Sequence, residues 1–372
     1  SNVLKNIGDK IMRILIATGI YPPDVGGPAT WVKFFAEEFT KRGHKMAVVT
    51  YSDKPQEDKE SWPVYRILRS VPKGVRHLKY FWKVFMLAKN FDVILVSDPI
   101  SAGFPVHLAS FLSGKPYILK IGGDYVWEQA VQRWGVKELL DEFLKKRYGF
   151  RIELMRRLEA YVAKRAVAVL APSKYLASVA KMWGVGLERI FIIYNNIKPP
   201  EIRFSKSEAR AKLGAGADEI ILFSFGRDVP WKGFDMLRGI IPEIKKEFPK
   251  ARLVVGEVSR EERDLWLASA DIFLQNTGYE GFPHQLLEAM SAGLPIITTP
   301  AGGIPEIVEH EKNAILVPYN DKDALIRAIS RLVADPEFRR RLGEAARLRA
   351  QDFLSRDVAG EALKVLEKIT AL

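Results

Sequence analysis

The chain has 372 residues, 48% hydrophobic and 27% charged, with 57 Lys and Arg against 45 Asp and Glu for a net charge of +12. That length accommodates two domains that each bury a core, and the absence of cysteine excludes disulfides and thiol chemistry. No apolar run reaches the ~20 residues that cross a bilayer, no secretory signal is legible, and the five His (His44, His77, His107, His284, His310) are too scattered for a metal motif, so a cytoplasmic protein without a metal is expected.

In chain order, a segment through residue 11 reads as a leader before a first domain over residues 12–198. Met12 to Thr18 is a short apolar run followed by a Pro- and Gly-rich loop and an amphipathic stretch from Ala29 to Lys41, the opening of a doubly wound unit. Further strands are expected at Met46–Tyr51, Val93–Ser97, Tyr117–Ile121, Val167–Ala171 and Ile190–Tyr194, mostly with helices between them. Lys73 to Lys89 mixes five Lys or Arg with Tyr80, Phe81, Trp82, Phe85, Met86 and Leu87. That composition fits an amphipathic helix lying in a membrane interface, or a core helix with a solvated basic edge; the need of a sheet-covering helix to pack an apolar face favours the second for the aromatic residues. Lys137 to Arg165 sets cations among regularly spaced apolar residues and predicts one long helix with a charged outer face.

Asn195-Asn196 and Pro199-Pro200 break the periodicity and mark a hinge. The second domain, residues 199–355, opens with a helix capped by Ser205 and Glu208. Its strands are expected at Ile220–Phe225, Arg252–Val255, Ile272–Gln275, Pro295–Thr298 and Ala314–Val317, and a last helix at Val358 to Ile369 lies within residues 356–372. Strands alternating with helices predict parallel sheets covered on both faces. Asp321-Lys322-Asp323 spells the Asp-x-Asp of metal-dependent sugar transfer, but it opens a helix and reads as an N-cap with favourable dipole charges.

The chemistry concentrates in Gly278-Tyr279-Glu280-Gly281-Phe282-Pro283-His284-Gln285-Leu286-Leu287-Glu288 and, upstream, Gly226-Arg227-Asp228-Val229-Pro230-Trp231-Lys232-Gly233. Glu280 precedes a helix start, Pro283 suits its first turn, and Glu288 lies about 8 Å further along at ~1.5 Å per residue, a reach comparable with a diphosphate plus a ribose. Arg227, Lys232 and the N–H groups of the helix start supply positive charge for a leaving diphosphate without a separate cation.

These segments, with Tyr21-Pro22-Pro23, Gly26-Gly27-Pro28, Arg42-Gly43-His44, Ala171-Pro172-Ser173, Ala292-Gly293-Leu294-Pro295 and Gly302-Gly303-Ile304-Pro305-Glu306, resemble the retaining glycosyltransferases of family four, in that family's order along the chain. The resemblance implies the GT-B fold: α/β, two Rossmann-like doubly wound parallel-sheet domains with a cleft between them, the last helix crossing back to the first. By the same resemblance Arg227 and Lys232 grip the donor diphosphate, and Glu288 the ribose hydroxyls. Glu280, with Gly281, Phe282, Pro283 and His284, takes the transferred sugar, and Gly26 and Gly27 form the donor-side loop of the first domain. The implied donor is a UDP- or GDP-linked sugar, with no cofactor, and the implied acceptor a glycan or a lipid-linked sugar of the cell envelope.

Three positions depart from the family. Gly122 stands where the family shows a His; two residues on, Asp124 either orients a hydroxyl or stabilises positive charge in its place, or serves as a turn residue or N-cap. Trp231 replaces an acidic residue and either packs beside the cleft or covers its own loop. After Leu253-Val254-Val255-Gly256 the chain runs directly into Glu257-Val258-Ser259-Arg260, omitting a helix and strand that in the family help hold the base, which leaves the base open. The competing readings are a nucleotide-sugar-binding protein that has lost transfer and a sugar-nucleotide epimerase. The excess cations imply an anionic partner, which nucleic acid, an acidic glycan or a phospholipid surface such as the inner face of the cell membrane would supply; no compact basic motif supports nucleic acid.

Overall fold

A computed structural model describes residues 11–24 and 26–371; the expected leader, apart from Ile11, lies outside the described residues. The chain divides into two compact units. One comprises the residues through Ala130, Leu144–Asn195 and the segment from Asp357 onward, and the other Val131–Phe143 and Asn196–Arg356. The hinge asparagines thus stand at the boundary. Residues 131–143 were expected in the first domain but belong to the second unit, where Leu139 packs against the Cα of Gly278.

The first unit is built on a seven-stranded parallel sheet of β1 (Arg13–Ala17), β2 (Lys45–Ser52), β3 (Val64–Leu68), β4 (Val93–Val96), β5 (Tyr117–Lys120), β6 (Ala168–Ala171) and β7 (Ile190–Ile192), in the order β3-β2-β1-β4-β5-β6-β7. Six strands answer apolar runs read from the sequence. The edge strand β3 was missed because it carries Arg66 and is only half-buried along its length, which blunts the pattern of a covered strand. The helices are α1 (Gly27–Lys41), α2 (Lys73–Ala88), α3 (Gly103–Ser113), α4 (Tyr125–Arg133), α5 (Leu140–Lys145), α6 (Phe150–Arg165) and α7 (Lys174–Met182), with α4 and α5 running across the unit boundary. The single long helix expected over Lys137 to Arg165 is therefore two. Arg156 donates to the carbonyls of Leu144 and Lys146, and Glu153 accepts from the Tyr148 N–H, so side chains satisfy the backbone groups of the break.

The second unit has a five-stranded parallel sheet of β8 (Ile220–Phe225), β9 (Ala251–Gly256), β10 (Ile272–Gln275), β11 (Ile296–Thr298) and β12 (Ile315–Leu316), in the order β12-β11-β10-β8-β9. Its helices are α8 (Lys206–Lys212), α9 (Phe234–Glu247), α10 (Arg260–Ser269), α11 (His284–Ser291), α12 (Lys322–Ala334) and α13 (Pro336–Leu354). The Ser205–Glu208 capping box forms, and Asp321 caps α12 by accepting from the Ala324 N–H at 2.9 Å. The short join after β9 leaves that strand at the sheet edge, and α10 returns across β8 to feed β10. The final helix, α14 (Val358–Thr370), belongs to the first unit, where Val358, Ala362 and Leu366 enter the core with Ile14, Phe35 and Phe39. Arg42 anchors its start by a forked pair with Asp357 at 3.0 and 2.6 Å.

Candidate functional site

The second sheet reverses its order between β8 and β10: from β8 the chain moves out to β9, from β10 to β11 and β12. The carboxyl ends of β8 and β10 flank a crevice of the kind in which doubly wound sheets bind ligands. Arg227, Lys232, Glu280, Gly281, Phe282 and Pro283 sit on the two loops that leave these strands, and His284 and Glu288 on the helix α11 that follows the second.

After β8 come Gly226, Arg227 and a short 3-10 turn, Pro230–Lys232, before Gly233 in the left-handed region at φ 56° opens α9. A side chain at Gly233 would collide with Asn276, whose Nδ2 donates to the Gly233 carbonyl at 3.1 Å. Trp231 is buried, and its carbonyl accepts from the Gly278 N–H at 2.7 Å, so it fastens its own loop to the next one. Arg227 is exposed and makes no ion pair among the described residues.

The loop after β10 carries Glu280, which is buried. Gly302, at φ 58°, brings the turn after β11 against the Glu280 backbone, and the Gly303 N–H donates to the Glu280 carbonyl at 2.8 Å. Lys232 pairs with Glu280 Oε1 and stands 3.4 Å from Gln285 Oε1 at the start of α11. Gln275 donates to the same Glu280 oxygen at 3.0 Å and accepts from Thr298 Oγ1 at 3.2 Å. A buried chain of partners therefore runs Lys232–Glu280–Gln275–Thr298 through the ends of three elements. Pro283 is the N-cap of α11, one position before the first turn that the sequence suggested; no side chain caps this helix, and the His284 N–H donates to the Phe282 carbonyl at 3.1 Å. Gly281 and Phe282 are buried and His284 half-buried beside them.

Glu288, one turn into α11, accepts from Arg263 Nη1 at 3.0 Å, while Nε and Nη2 of that guanidinium bind Asp264 at 3.0 and 2.8 Å. Burial pushes the Glu288 carboxyl up to about 7, against the opposing pull of Arg263, whose charge is shared with Asp264. Gln275 and Arg263 went unnoticed in the sequence. A polar residue closing the buried strand Ile272-Phe273-Leu274-Gln275 was a legible signal for the first; Arg263 had none, since its partner lies on another helix.

Two groups of expected site residues lie in the first unit. Gly26 is the N-cap of α1 and Gly27 its first residue. Asp124 is fully buried, accepts from the Trp127 N–H at 2.8 Å and from Trp183 Nε1 at 3.4 Å, and adjoins buried Glu159, which accepts from the Tyr125 N–H at 3.0 Å. Of the two roles open in the sequence, this geometry is the N-cap, because the carboxylate is spent on the first turn of α4. Gly122, by contrast, faces open space. Among the described residues no group of three His, Asp or Glu side chains is placed to hold a metal.

Residues 25–199 match the family described as Glycosyltransferase Family 4, and residues 253–349 match Glycosyl transferases group 1. An uncharacterized glycosyltransferase of Methanocaldococcus jannaschii is 26% identical, over 88% of this chain and 90% of its own length. A GDP-mannose-dependent alpha-(1-6)-phosphatidylinositol monomannoside mannosyltransferase of Mycolicibacterium smegmatis is 24% identical, over 91% and 94%. Among solved structures, sucrose-phosphate synthase from Thermosynechococcus elongatus superposes with a TM-score of 0.77 at 19% identity, covering 96% of this chain and 99% of that one. Anabaena HepE in complex with UDP and glucose gives 0.75 at 20%, covering 97% and 100%. Both structural likenesses establish the GT-B fold.

Proposed function

The chain belongs to glycosyltransferase family four, and on that premise we propose that it moves a sugar from a nucleoside diphosphate-sugar to a glycan or lipid-linked acceptor, with retention of anomeric configuration and without a metal ion. The observation that carries the proposal is the buried Lys232–Glu280 pair at the carboxyl ends of β8 and β10, beside the start of α11. When the sugar–phosphate bond breaks, negative charge grows on the leaving diphosphate. Lys232, exposed Arg227 and the helix start meet that charge in a fixed, partly dehydrated setting. A bound diphosphate takes Lys232 from Glu280, and Glu280, still oriented by Gln275, then accepts from hydroxyls of the transferred sugar. Glu288 faces the ribose diol. Retention rests on the family resemblance, and the UDP-bound and GDP-mannose-dependent relatives support a nucleotide donor.

Asp124 is not carried into this reading, because its carboxylate is enclosed; Gly26 and Gly27 stay in it through the resemblance. The acceptor is assigned to the membrane from the cations of α2. Incubation with a panel of labelled UDP- and GDP-sugars and membrane acceptors, with the anomeric configuration of the product read by NMR, tests the whole. Product of inverted configuration sinks retention, and product that forms only with magnesium or manganese sinks the metal-free step.

A further inference from the structure

We infer that α2 and α3 together form one face that docks on an anionic lipid bilayer, an extension that rests on the membrane acceptor proposed above. The two helices pack along one another on the same side of the first sheet, α2 over β1, β2 and β3 and α3 over β4 and β5. Each has two apolar stripes. On α2, Tyr80, Val84 and Ala88 are buried against the sheet, while Val75, Leu78, Trp82 and Met86, spaced by three and four residues, are exposed. On α3, Val106 and Ala109 are buried, while Leu108, Phe111 and Leu112 are exposed. Trp82 is 57% and Phe111 79% accessible, so these are whole side chains in water and not the edges of core residues.

A helix covering a sheet needs a single apolar stripe, and the second one raises the free energy of the isolated protein unless something covers it. The charge pattern says what does. Neither helix contains a carboxylate, and Lys73 and Lys79 on α2 and Lys89 at its C-cap stand exposed. Bulky apolar side chains flanked by cations, with no carboxylate on either helix, suit the boundary between acyl chains and anionic headgroups. A second copy of this face would bring the same cations together, which disfavours self-association. The sequence pointed only to α2, with the core-helix reading ahead for its aromatic residues. Tyr80 is buried as that reading expects and Phe81 and Phe85 are half-buried, whereas Trp82 departs from it, and α3, which has no charged residue, adds a second exposed apolar stripe.

The test is co-sedimentation of the full chain, without donor, with vesicles of phosphatidylglycerol or of phosphatidylcholine alone. Wild type is expected to sediment with the first at low salt, and Leu78→Glu with Phe111→Glu, one change on each exposed stripe, to lower partitioning roughly tenfold with an unchanged thermal melt. Lys79→Glu with Lys89→Glu lowers it in the same direction and weakens the salt dependence. Absence of wild-type binding at low salt, or equal binding by the Leu78→Glu, Phe111→Glu variant, overturns the proposal. So does a concentration-dependent rise in wild-type mass by light scattering that this variant abolishes, since copies of the chain would then cover the face. Lys232→Ala should sediment like wild type, so a failed transfer assay and a failed docking assay are told apart.

Discussion

Lys232 and Glu280 hold one another with little exposure to solvent, and a diphosphate must compete for the lysine. A nucleoside diphosphate is therefore expected to raise the melting temperature without divalent metal, and Lys232→Ala to remove most of that shift in a calorimetric scan. A full shift in the variant would take Lys232 out of the donor site. Glu288 titrates near neutrality because burial outweighs Arg263. A carboxyl raised in the folded state gives stability that is complete below the ordinary carboxyl range and lost as pH rises through about 7. Glu288→Gln is expected to flatten this loss, worth up to about 3 kcal/mol between pH 4 and 8, in urea melts at both pH values. The same variant weakens donor binding by calorimetric titration at pH 8, where the wild-type carboxylate is charged and receives the ribose hydroxyls. Equal affinity at that pH would remove Glu288 from the ribose.

At the scale of elements, the first turn of α4 shows how a capping residue resembles a catalytic one in sequence. Asp124 and Glu159 bury two carboxyls side by side; burial first, and the neighbouring Asp124 charge second, hold the Glu159 proton far above the usual range. Asp124→Asn keeps the cap and is expected to leave turnover within about twofold, whereas Asp124→Ala loses about 1 kcal/mol of stability in a thermal melt. Loss of turnover in the Asn variant at unchanged stability would restore Asp124 to catalysis. Most strands and helices were legible because parallel strands covered on both faces read as short apolar runs between glycine-rich loops, as at Ile220–Phe225 and Ile272–Gln275. The interruption between α5 and α6 was not, because its backbone groups are satisfied by Arg156 and Glu153, residues whose spacing also suits an unbroken helix.

Over the whole molecule, the chain's last helix completes a core begun at its first strand. Leu366 is fully buried in that core, so Leu366→Ala is expected to cost about 2–5 kcal/mol in urea unfolding, at a position remote in sequence from every partner it touches except its own helix. A loss below 1 kcal/mol would mean that α14 contributes little to the first unit. Segment 131–143 makes the complementary point, since it lies between stretches of the first unit in sequence yet is assigned with the second.

By itself the sequence determined the two doubly wound sheets, the glycine turns, the loops bearing Arg227, Lys232 and Glu280, and the helix bearing Glu288. Local backbone demands and strand burial leave marks on neighbouring residues, which can be read in order. Only the tertiary structure decided that Asp124 is enclosed, that Gln275 steers Glu280, that Arg263 engages Glu288, and that α2 and α3 each keep an apolar stripe in water. Those facts depend on which distant element arrives at a given face, and helical periodicity shows that a stripe exists without showing whether anything covers it.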